Sequence, residues 1–404
     1  MIRINISHIR LTNGDRDHTD FKKVRSDHFF VRKFTIQPQA LDKLISFFLY
    51  RILSSLTWFF IKSNFLACQY PKSQHVIYQH LYSTNEKMVP NYWLGILYHL
   101  FSFKVHQIPK ECALHAFDYA TPQSVADAVV MLKEHGEKAR VLAGGTDLIV
   151  QLRENRRRAD VVVDIKGISD VNELSYHASS GLTIGAAVPC YLIYGDAAIA
   201  DAYPGLMDAA SLVGGTGIQG RASLGGNLCN ASPAGDTIPP MIVLGGIARI
   251  AGPDGTREVP VASFCTGPSK TVLKDGEFLV SLHFPSPEAN SGAYYLRFIP
   301  RNEMDIAVVG VGAKVVLNQD KSQFISARVA LGAVAPTPLF VQAVGDALVG
   351  QPVSDESVQK ASKIAQDAAR PISDMRGTAE YRKHLIGVFT RRVLSGAVQR
   401  AKES

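Results

Sequence analysis

The 404-residue sequence has only five cysteines, and they lie far apart. A zinc site or an iron–sulfur cluster usually needs cysteines in close pairs, and this sequence contains none. We therefore expect no metal site and interpret the cysteines as reduced, structural thiols of a cytoplasmic protein. They are Cys68, Cys112, Cys190, Cys229 and Cys265.

The sequence also lacks an apolar run long enough to span a membrane. Its most apolar stretch covers residues 41–68, but Arg51 and Lys62 enclose only ten residues, whereas a spanning helix needs about 20. No small-residue cleavage site follows this stretch, which argues against a secretory signal. We expect no membrane span.

Glycine is nearly absent from the first 110 residues. They contain two of the 32 glycines, 19 of the 35 aromatic residues, and 15 basic against 6 acidic residues. Residues 111–404 contain 28 basic against 30 acidic residues. This break in composition indicates that two different sequences are joined.

Three interpretations of residues 1–110 remain open. Residues 1–110 form an amphipathic surface-binding helix, a packed accessory helical segment, or a basic, aromatic-rich extension that is not part of the working protein. We favour the extension, because Met88 lies shortly before the globular pattern begins.

A first glycine loop follows a predicted helix and strand. Apolar residues at helical spacing predict a helix from Ser124 to Gly136, and residues 140–143 predict a short buried strand. Gly144-Gly145 follows at once, and Thr146-Asp147 is placed to cap a further helix. Such a turn directs backbone N–H groups at one small volume that suits a phosphate. A tight turn without a ligand is the alternative.

A second glycine-rich stretch covers residues 214–245 and contains eight glycines. Because so much glycine costs conformational entropy on folding, we consider two explanations: a compact turn-rich connection, or backbone that approaches an extended polar ligand. In the second, Ser223 and Asp236 hydrogen-bond hydroxyls or phosphates of the ligand. Asp236 can instead cap a helix that begins at Thr237, and we interpret Cys229 as a small buried hydrophobe.

The last third of the sequence predicts strands over residues 294–300, 306–317 and 326–338, and amphipathic helices over 357–371 and 379–401. In the last helix, we interpret Arg391, Arg392 and Arg400 as a solvated face.

Both loops, in this order, resemble the FAD-binding (medium) subunit of the xanthine dehydrogenase / carbon monoxide dehydrogenase family of molybdenum hydroxylases. The resemblance covers residues 115–400 and implies an α+β fold: a two-subdomain PCMH-type FAD-binding domain over 111–286 and a C-terminal domain of antiparallel sheet and helices over 287–404. It is carried by AFDYATPQSVADAV from Ala116, VLAGGTDL from Val141, VVDIKGI from Val162, LTIGAAV from Leu182, ASLGGNLCNASPAGD from Ala222 and RNEMDIAVVGVG from Arg301.

The resemblance implies FAD as the cofactor, with its pyrophosphate against the first loop, its ribityl and phosphate region against the second, and a basic residue near the flavin. It implies no catalytic residue and no metal ligand on this chain. The implied cofactor-binding residues are Leu142, Ala143, Gly144, Gly145, Thr146, Asp147, Leu148, Ser223, Gly225, Gly226, Asn227, Asp236 and Arg297.

The resemblance further implies an electron-transfer role. Electrons pass from a large molybdopterin subunit through a small [2Fe-2S] subunit to FAD and on to an acceptor such as NAD or a quinone, in a dimer of heterotrimers. An apolar docking surface is then expected near the loops. The alternatives are a stand-alone FAD-dependent oxidoreductase of the same fold and a non-catalytic nucleotide-binding module. Nucleic-acid binding is not expected, because residues 111–404 carry no basic surplus.

Overall fold

The computed structural model describes residues 114–404. The interpretations of residues 1–110 and the two cysteines Cys68 and Cys112 lie outside the described residues. Among residues 114–404, no helix is long and apolar enough to cross a membrane.

The first subdomain is a small parallel sheet with one long helix against it. The strands run in the order β1, β3, β2, and all four residues of β3 are buried. The predicted first helix forms, with Ser124 accepting a hydrogen bond from the backbone N–H of Asp127 and Gly136 at its end. The elements are β1 (Asp118–Ala120), α1 (Val125–His135), β2 (Ala139–Leu142), α2 (Leu148–Arg153) and β3 (Val161–Asp164).

The second subdomain is a five-stranded antiparallel sheet in the order β4, β5, β10, β6, β7. Its central strand β10 is almost entirely buried. The strands are β4 (Leu174–His177), β5 (Gly181–Gly185), β6 (Ile247–Gly252), β7 (Gly255–Pro260) and β10 (Phe278–Phe284), with β8 (Cys265–Gly267) and β9 (Lys270–Thr271) as a separate pair.

Six short helices lie between β5 and β6, and the second glycine-rich stretch runs through the last three of them. They are α3 (Cys190–Gly195), α4 (Ala197–Ala202), α5 (Pro204–Ala210), α6 (Thr216–Gln219), α7 (Leu224–Asn230) and α8 (Ile238–Val243). A buried apolar cluster that includes Leu206, Leu224 and Met241 packs these helices on the sheet. The helices therefore hold the second loop against a rigid core.

The C-terminal part is a four-stranded antiparallel sheet in the order β11, β12, β13, β14, with three helices. The strands and helices predicted for this part form, and the predicted α+β fold is confirmed. The elements are β11 (Ser291–Phe298), β12 (Val309–Leu317), β13 (Phe324–Gly332), β14 (Leu339–Phe340), α9 (Gln342–Leu348), α10 (Asp355–Ala368) and α11 (Ala379–Glu403).

The C-terminal helix α11 contacts the second subdomain through an ion pair. Arg400 donates to both carboxylate oxygens of Asp208 on α5, at 2.6 and 2.9 Å, and its guanidinium lies over the ring of Tyr294. The interpretation of Arg400 as part of a solvated face was therefore wrong, because its guanidinium pairs with Asp208. The helical pattern could not show this partner, which lies 192 residues earlier in the chain.

Candidate functional site

A cavity of about 520 Å³ opens between the first subdomain and the second. Both glycine loops, the start of β10 and residues 304–306 form its walls. Eleven of the thirteen residues predicted to bind the cofactor line it: Ala143, Gly144, Gly145, Thr146, Asp147, Leu148, Ser223, Gly225, Gly226, Asn227 and Asp236. The structure thus brings together two loops that are about 80 residues apart in the chain.

Leu142 does not line the cavity. Its side chain is buried with Leu152 and Val162 in a small apolar cluster beneath the first loop. Leu142 therefore supports the loop from below, and its contact with a cofactor stays a prediction.

The first loop approaches the second so closely that its first glycine has no room for a side chain. A Cβ at Gly144 would overlap the carbonyl oxygen of Arg221, which precedes the second loop's Ala222. The next residue, Gly145, has a φ of +77°, a conformation that favours glycine. The two glycines therefore leave bare backbone facing the cavity.

The predicted cap of the helix after the first loop does not form. Asp147 occupies the N-cap position of α2, but its backbone is helical and its side chain makes no capping hydrogen bond. An N-cap side chain reaches back to the helix from an extended backbone, and Asp147 lacks that conformation. Its side chain lines the cavity instead.

In the second loop, Ser223 and Asn227 already have partners within the protein. The Ser223 hydroxyl oxygen accepts from the backbone N–H of Gly226 at 3.0 Å and so caps α7. The Asn227 side-chain oxygen accepts from the Thr237 hydroxyl at 2.7 Å. Both residues line the cavity and keep donor hydrogens, the Ser223 hydroxyl proton and the Asn227 amide, for a ligand.

Asp236 does not cap a helix. Thr237 occupies the N-cap position of α8, and the Asp236 carboxylate is bound on both oxygens. Oδ1 accepts from the Tyr295 hydroxyl at 2.9 Å, and Oδ2 accepts from Arg297 Nη1 at 2.5 Å. Burial raises the pKa of Asp236, and the charge of Arg297 and both hydrogen bonds oppose that rise.

Arg297 lies behind Asp236 and does not line the cavity. Its side chain is only 5% exposed and forms the ion pair with Asp236. Its Nε is buried and has no hydrogen-bond partner among residues 114–404. A direct contact between Arg297 and the flavin stays a prediction; the contact that the structure shows is with Asp236.

Three polar features of the cavity were missed by the sequence analysis. Gln151 on α2 donates to Asn230 on α7 at 3.1 Å, which joins the helices after the two loops. Arg140 and Arg157 also line the cavity, and neither forms an ion pair with the described residues. The run of three arginines at residues 156–158 was a visible signal for a cationic wall. Gln151 and Asn230 gave no signal, because their meeting depends on the tertiary fold.

The two cavity arginines make an electropositive wall. Arg140 Nη1 donates to the carbonyl oxygens of Glu137 and Ala139, at 2.5 and 2.7 Å, and its Nε is buried without a partner in the described chain. Burial and the charge of Arg157 lower the pKa of Arg140. Two like charges beside each other are costly unless an anion approaches them. Their presence fits a negatively charged ligand.

Cys229 is half-buried and lines the cavity while it packs against the core of the second subdomain. Burial raises the pKa of its thiol to about 12. The thiol therefore stays protonated near neutral pH and provides a neutral wall. The sequence interpretation as a small hydrophobe agrees with this packing, although the residue is not fully buried.

Two exposed apolar side chains, Met304 and Ile306, line the cavity. Met304 is 54% exposed and has a φ of +55°, and its carbonyl oxygen accepts from Arg301 Nη2 at 2.5 Å. Ile306 is also exposed. An apolar docking surface near the loops stays a prediction, and these two side chains are the exposed apolar groups that line the cavity's edge.

The site fits FAD in size and chemistry. A dinucleotide needs an elongated cavity within the usual range of about 300 to 1,000 Å³, bare backbone for its phosphates, and positive charge. The cavity offers about 520 Å³, two glycine loops, and two arginines without an ion pair in the described part of the chain. Asp236, Ser223 and Asn227 add an acceptor and donors for hydroxyl groups.

Comparisons with known proteins identify the family. Residues 115–287 match the model of the FAD binding domain in molybdopterin dehydrogenase, and residues 294–397 match that of the CO dehydrogenase flavoprotein C-terminal domain. The xanthine dehydrogenase FAD-binding subunit of Escherichia coli O157:H7 is 33% identical over 290 residues, which are 70% of this chain and 98% of that protein.

A carbon monoxide dehydrogenase medium chain and a solved CO dehydrogenase structure give the same result. The carbon monoxide dehydrogenase medium chain of Afipia carboxidovorans is 32% identical over 71% of this chain and 98% of its own length. A solved structure of reconstituted CO dehydrogenase from Oligotropha carboxidovorans superimposes with a TM-score of 0.68 at 30% identity, over 71% of this chain and 99% of the matched one. The chain therefore belongs to the family of FAD-binding, or medium, subunits of xanthine dehydrogenase / carbon monoxide dehydrogenase-type molybdenum hydroxylases.

Proposed function

We propose that this chain relays electrons within a molybdenum hydroxylase complex. Partner subunits with molybdopterin and [2Fe-2S] clusters supply the electrons, and an external acceptor such as NAD or a quinone removes them. The supporting observation is that both glycine loops line one cavity, together with two arginines that form no ion pair with residues 114–404. The proposed assembly is a dimer of heterotrimers in the cytoplasm.

The side chains that line the cavity favour a relay over a stand-alone enzyme. No histidine or tyrosine is among them in the described chain. Asp236 is bound to Arg297 and Tyr295, and Glu277 is bound to Arg257. A stand-alone oxidoreductase needs a free base near the substrate. Asp236 and Glu277 are already paired, and Asp147 is the one cavity carboxylate that has no ion pair or side-chain hydrogen bond among residues 114–404.

FAD, when bound, supplies the electron chemistry of this site. The chain's residues hold and orient it. Backbone of residues 144–146 and 225–227 would hold the phosphates, and Arg140 and Arg157 would balance their charge. Asp236 would accept hydrogen bonds from hydroxyl groups of the ribityl chain.

Another chain of the complex recognises the substrate. The relatives compared above are named for two chemically different substrates, xanthine and carbon monoxide, yet both match this chain over nearly their whole length. A subunit shared between such different oxidations holds the flavin and leaves substrate recognition to its partner.

We also propose that domain boundaries lie at 110/111 and 286/287. The second one falls between β10 and β11, where residues 285–290 connect the two sheets without forming a strand of their own. Limited proteolysis that cuts in this connection, and leaves both flanking sheets intact, would support the division.

Affinity purification of the tagged full chain from its native host tests the relay. We expect about one FAD per chain, together with a large and a small partner subunit and with molybdenum and iron in the same fraction. A chain that purifies alone, and whose flavin is reduced directly by a small-molecule substrate, would contradict the relay and favour the stand-alone oxidoreductase.

A further inference from the structure

Asp236 stands between the two halves of the molecule. It lies in the FAD-binding part and lines the cavity, yet both partners of its carboxylate, Tyr295 and Arg297, belong to β11 of the C-terminal sheet. The residues are about 60 positions apart in the chain. The C-terminal sheet therefore reaches the wall of the cavity through this carboxylate.

Strand geometry explains why β11 supplies two partners. Side chains two residues apart lie on the same face of a strand, so Tyr295 and Arg297 point together toward Asp236. Tyr294, the residue before Tyr295, points to the opposite face and lies under the guanidinium of Arg400. One face of β11 thus packs on α11, and the other face carries Tyr295 and Arg297 toward Asp236.

The Tyr295 hydroxyl is tightly surrounded by neighbouring atoms. Tyr295 is 2% exposed. Gly310 lies beside it on β12, and a Cβ at that position would come within 2.7 Å of the Tyr295 hydroxyl oxygen. The hydroxyl is therefore held in one place, with Asp236 Oδ1 as its acceptor.

Stability alone does not account for this arrangement. Burying an ion pair has a desolvation cost that its attraction only partly offsets, and apolar residues often stabilise such positions as well. Here the cost is higher still, because Arg297 Nε is buried without a partner in the described residues. Asp236 is buried and lines the cavity, and a ligand that needs its carboxylate explains this arrangement more readily.

We propose that Tyr295 is a positioning residue for FAD, whose hydroxyl, together with Arg297, fixes the Asp236 carboxylate so that it accepts hydrogen bonds from the cofactor. The inference rests on the proposed binding of FAD in this cavity. It makes the C-terminal sheet part of the cofactor site, although Tyr295 itself does not line the cavity.

This role has a pH signature. The bound ligand requires the ionised carboxylate, and burial raises the pKa of Asp236 while Tyr295 and Arg297 hold it down. Removing the Tyr295 hydroxyl raises that pKa further, so the acid limb of FAD binding moves to higher pH. The other titratable or charged groups that line the cavity are Arg140, Asp147, Arg157, Cys229, Glu277 and Asp305. They are the same in the wild type and in a variant that lacks only the Tyr295 hydroxyl.

The test measures the Kd of FAD for the flavin-free full chain by quenching of flavin fluorescence, from about pH 5 to about pH 8. It compares the wild type with Tyr295→Phe and with Tyr294→Phe, which removes a hydroxyl from the opposite face of the same strand. We expect Tyr294→Phe to match the wild type. We expect Tyr295→Phe to bind FAD about ten-fold more weakly at neutral pH, with its acid limb shifted to higher pH.

Three results would overturn the inference, and they differ from one another. Unchanged FAD affinity in Tyr295→Phe at every pH would show that the hydroxyl does not act on the cofactor. Equal weakening at every pH, together with a lower urea midpoint of the flavin-free chain, would show a structural role alone. A wild-type chain that binds no FAD at any pH would refute the proposed function itself, and this inference with it.

Discussion

At the scale of single residues, the cavity depends on backbone that no side chain covers. Gly144 is the clearest case, because a Cβ there would overlap the carbonyl oxygen of Arg221. The two loops touch at this point, so any displacement of one moves the other.

We expect Gly144→Ala to separate the loops and to abolish tight FAD binding. The overlap involves backbone on both sides, so relief requires a shift of the loop and costs about 1–3 kcal/mol of stability. Isothermal titration with FAD and urea unfolding measure the two effects. Gly217→Ala is the matched control: this glycine lies in α6 with nothing within 4 Å of a new Cβ, and alanine favours a helix. Equal FAD affinity in both variants would contradict the close approach.

Arg157 carries a second prediction at this scale. Its charge lines the cavity without a carboxylate partner among residues 114–404, so we expect Arg157→Gln to weaken FAD binding by about 1 kcal/mol. The measurement is the Kd of FAD at low and high salt. Arg158→Gln is the control, because this neighbour is exposed and does not line the cavity. The loss of FAD affinity in Arg157→Gln should shrink as salt rises. An equal loss in Arg158→Gln would contradict a specific role of Arg157 in the cavity.

At the scale of elements, a partly buried carboxylate connects the start of β10 to the β6–β7 hairpin. Glu277 comes just before β10, and Arg257 of β7 donates to both of its oxygens, at 2.8 and 2.7 Å. The backbone N–H of Lys274 also donates to it. These bonds hold the segment that places Leu273 and Phe278 on the cavity wall.

We expect Glu277→Gln to lower the free energy of unfolding by about 1 kcal/mol near neutral pH, because the Arg257 side chain is about one-third exposed. The hydrogen bond from Arg257 is the main cause that lowers the pKa of Glu277 on folding. Its contribution is therefore fully present above the unfolded pKa of about 4.3 and is lost as pH falls through the lower folded pKa.

Urea unfolding of the wild type and Glu277→Gln across that acid range provides the measurement. The two curves should converge at low pH. Glu258→Gln, an exposed neighbour on β7 that forms no ion pair with the described residues, should follow the wild type throughout. A gap between wild type and Glu277→Gln that persists unchanged in acid would show that the ion pair is not its source.

Local sequence patterns correctly predicted those helices and strands whose apolar spacing lies within one short segment. The helix from Ser124 to Gly136 and the strands and helices of the last third all form. The cap expected from Asp147 does not, because the backbone there is already helical. Capping depends on one residue's backbone angles, which a pattern of apolar positions does not fix.

Long-range partners were the part that the sequence could not predict. Arg297 was expected beside the flavin, and its observed partner Asp236 lies 61 residues earlier. Tyr295 gave no signal at all, since an isolated tyrosine in a strand is ordinary core. Gln151 and Asn230 meet only because the two loops fold against each other.

At the scale of the whole molecule, the two parts matched by separate family models share one site. Residues 115–287 and 294–397 match different models, yet Asp236, which lines the cavity in the first part, is bound by Tyr295 and Arg297 from the second. The Arg400 to Asp208 pair joins the same two parts. Loss of the C-terminal sheet should therefore weaken the FAD site even though the glycine loops remain.

The most direct test of the account is a cryo-electron microscopy structure of the complex purified from native cells through this chain. We expect FAD in the cavity, with its pyrophosphate against residues 144–146 and 223–227 and its flavin ring turned toward a partner subunit that holds an iron–sulfur cluster. A cavity without flavin, or a flavin with no cluster-bearing subunit beside it, would contradict the account.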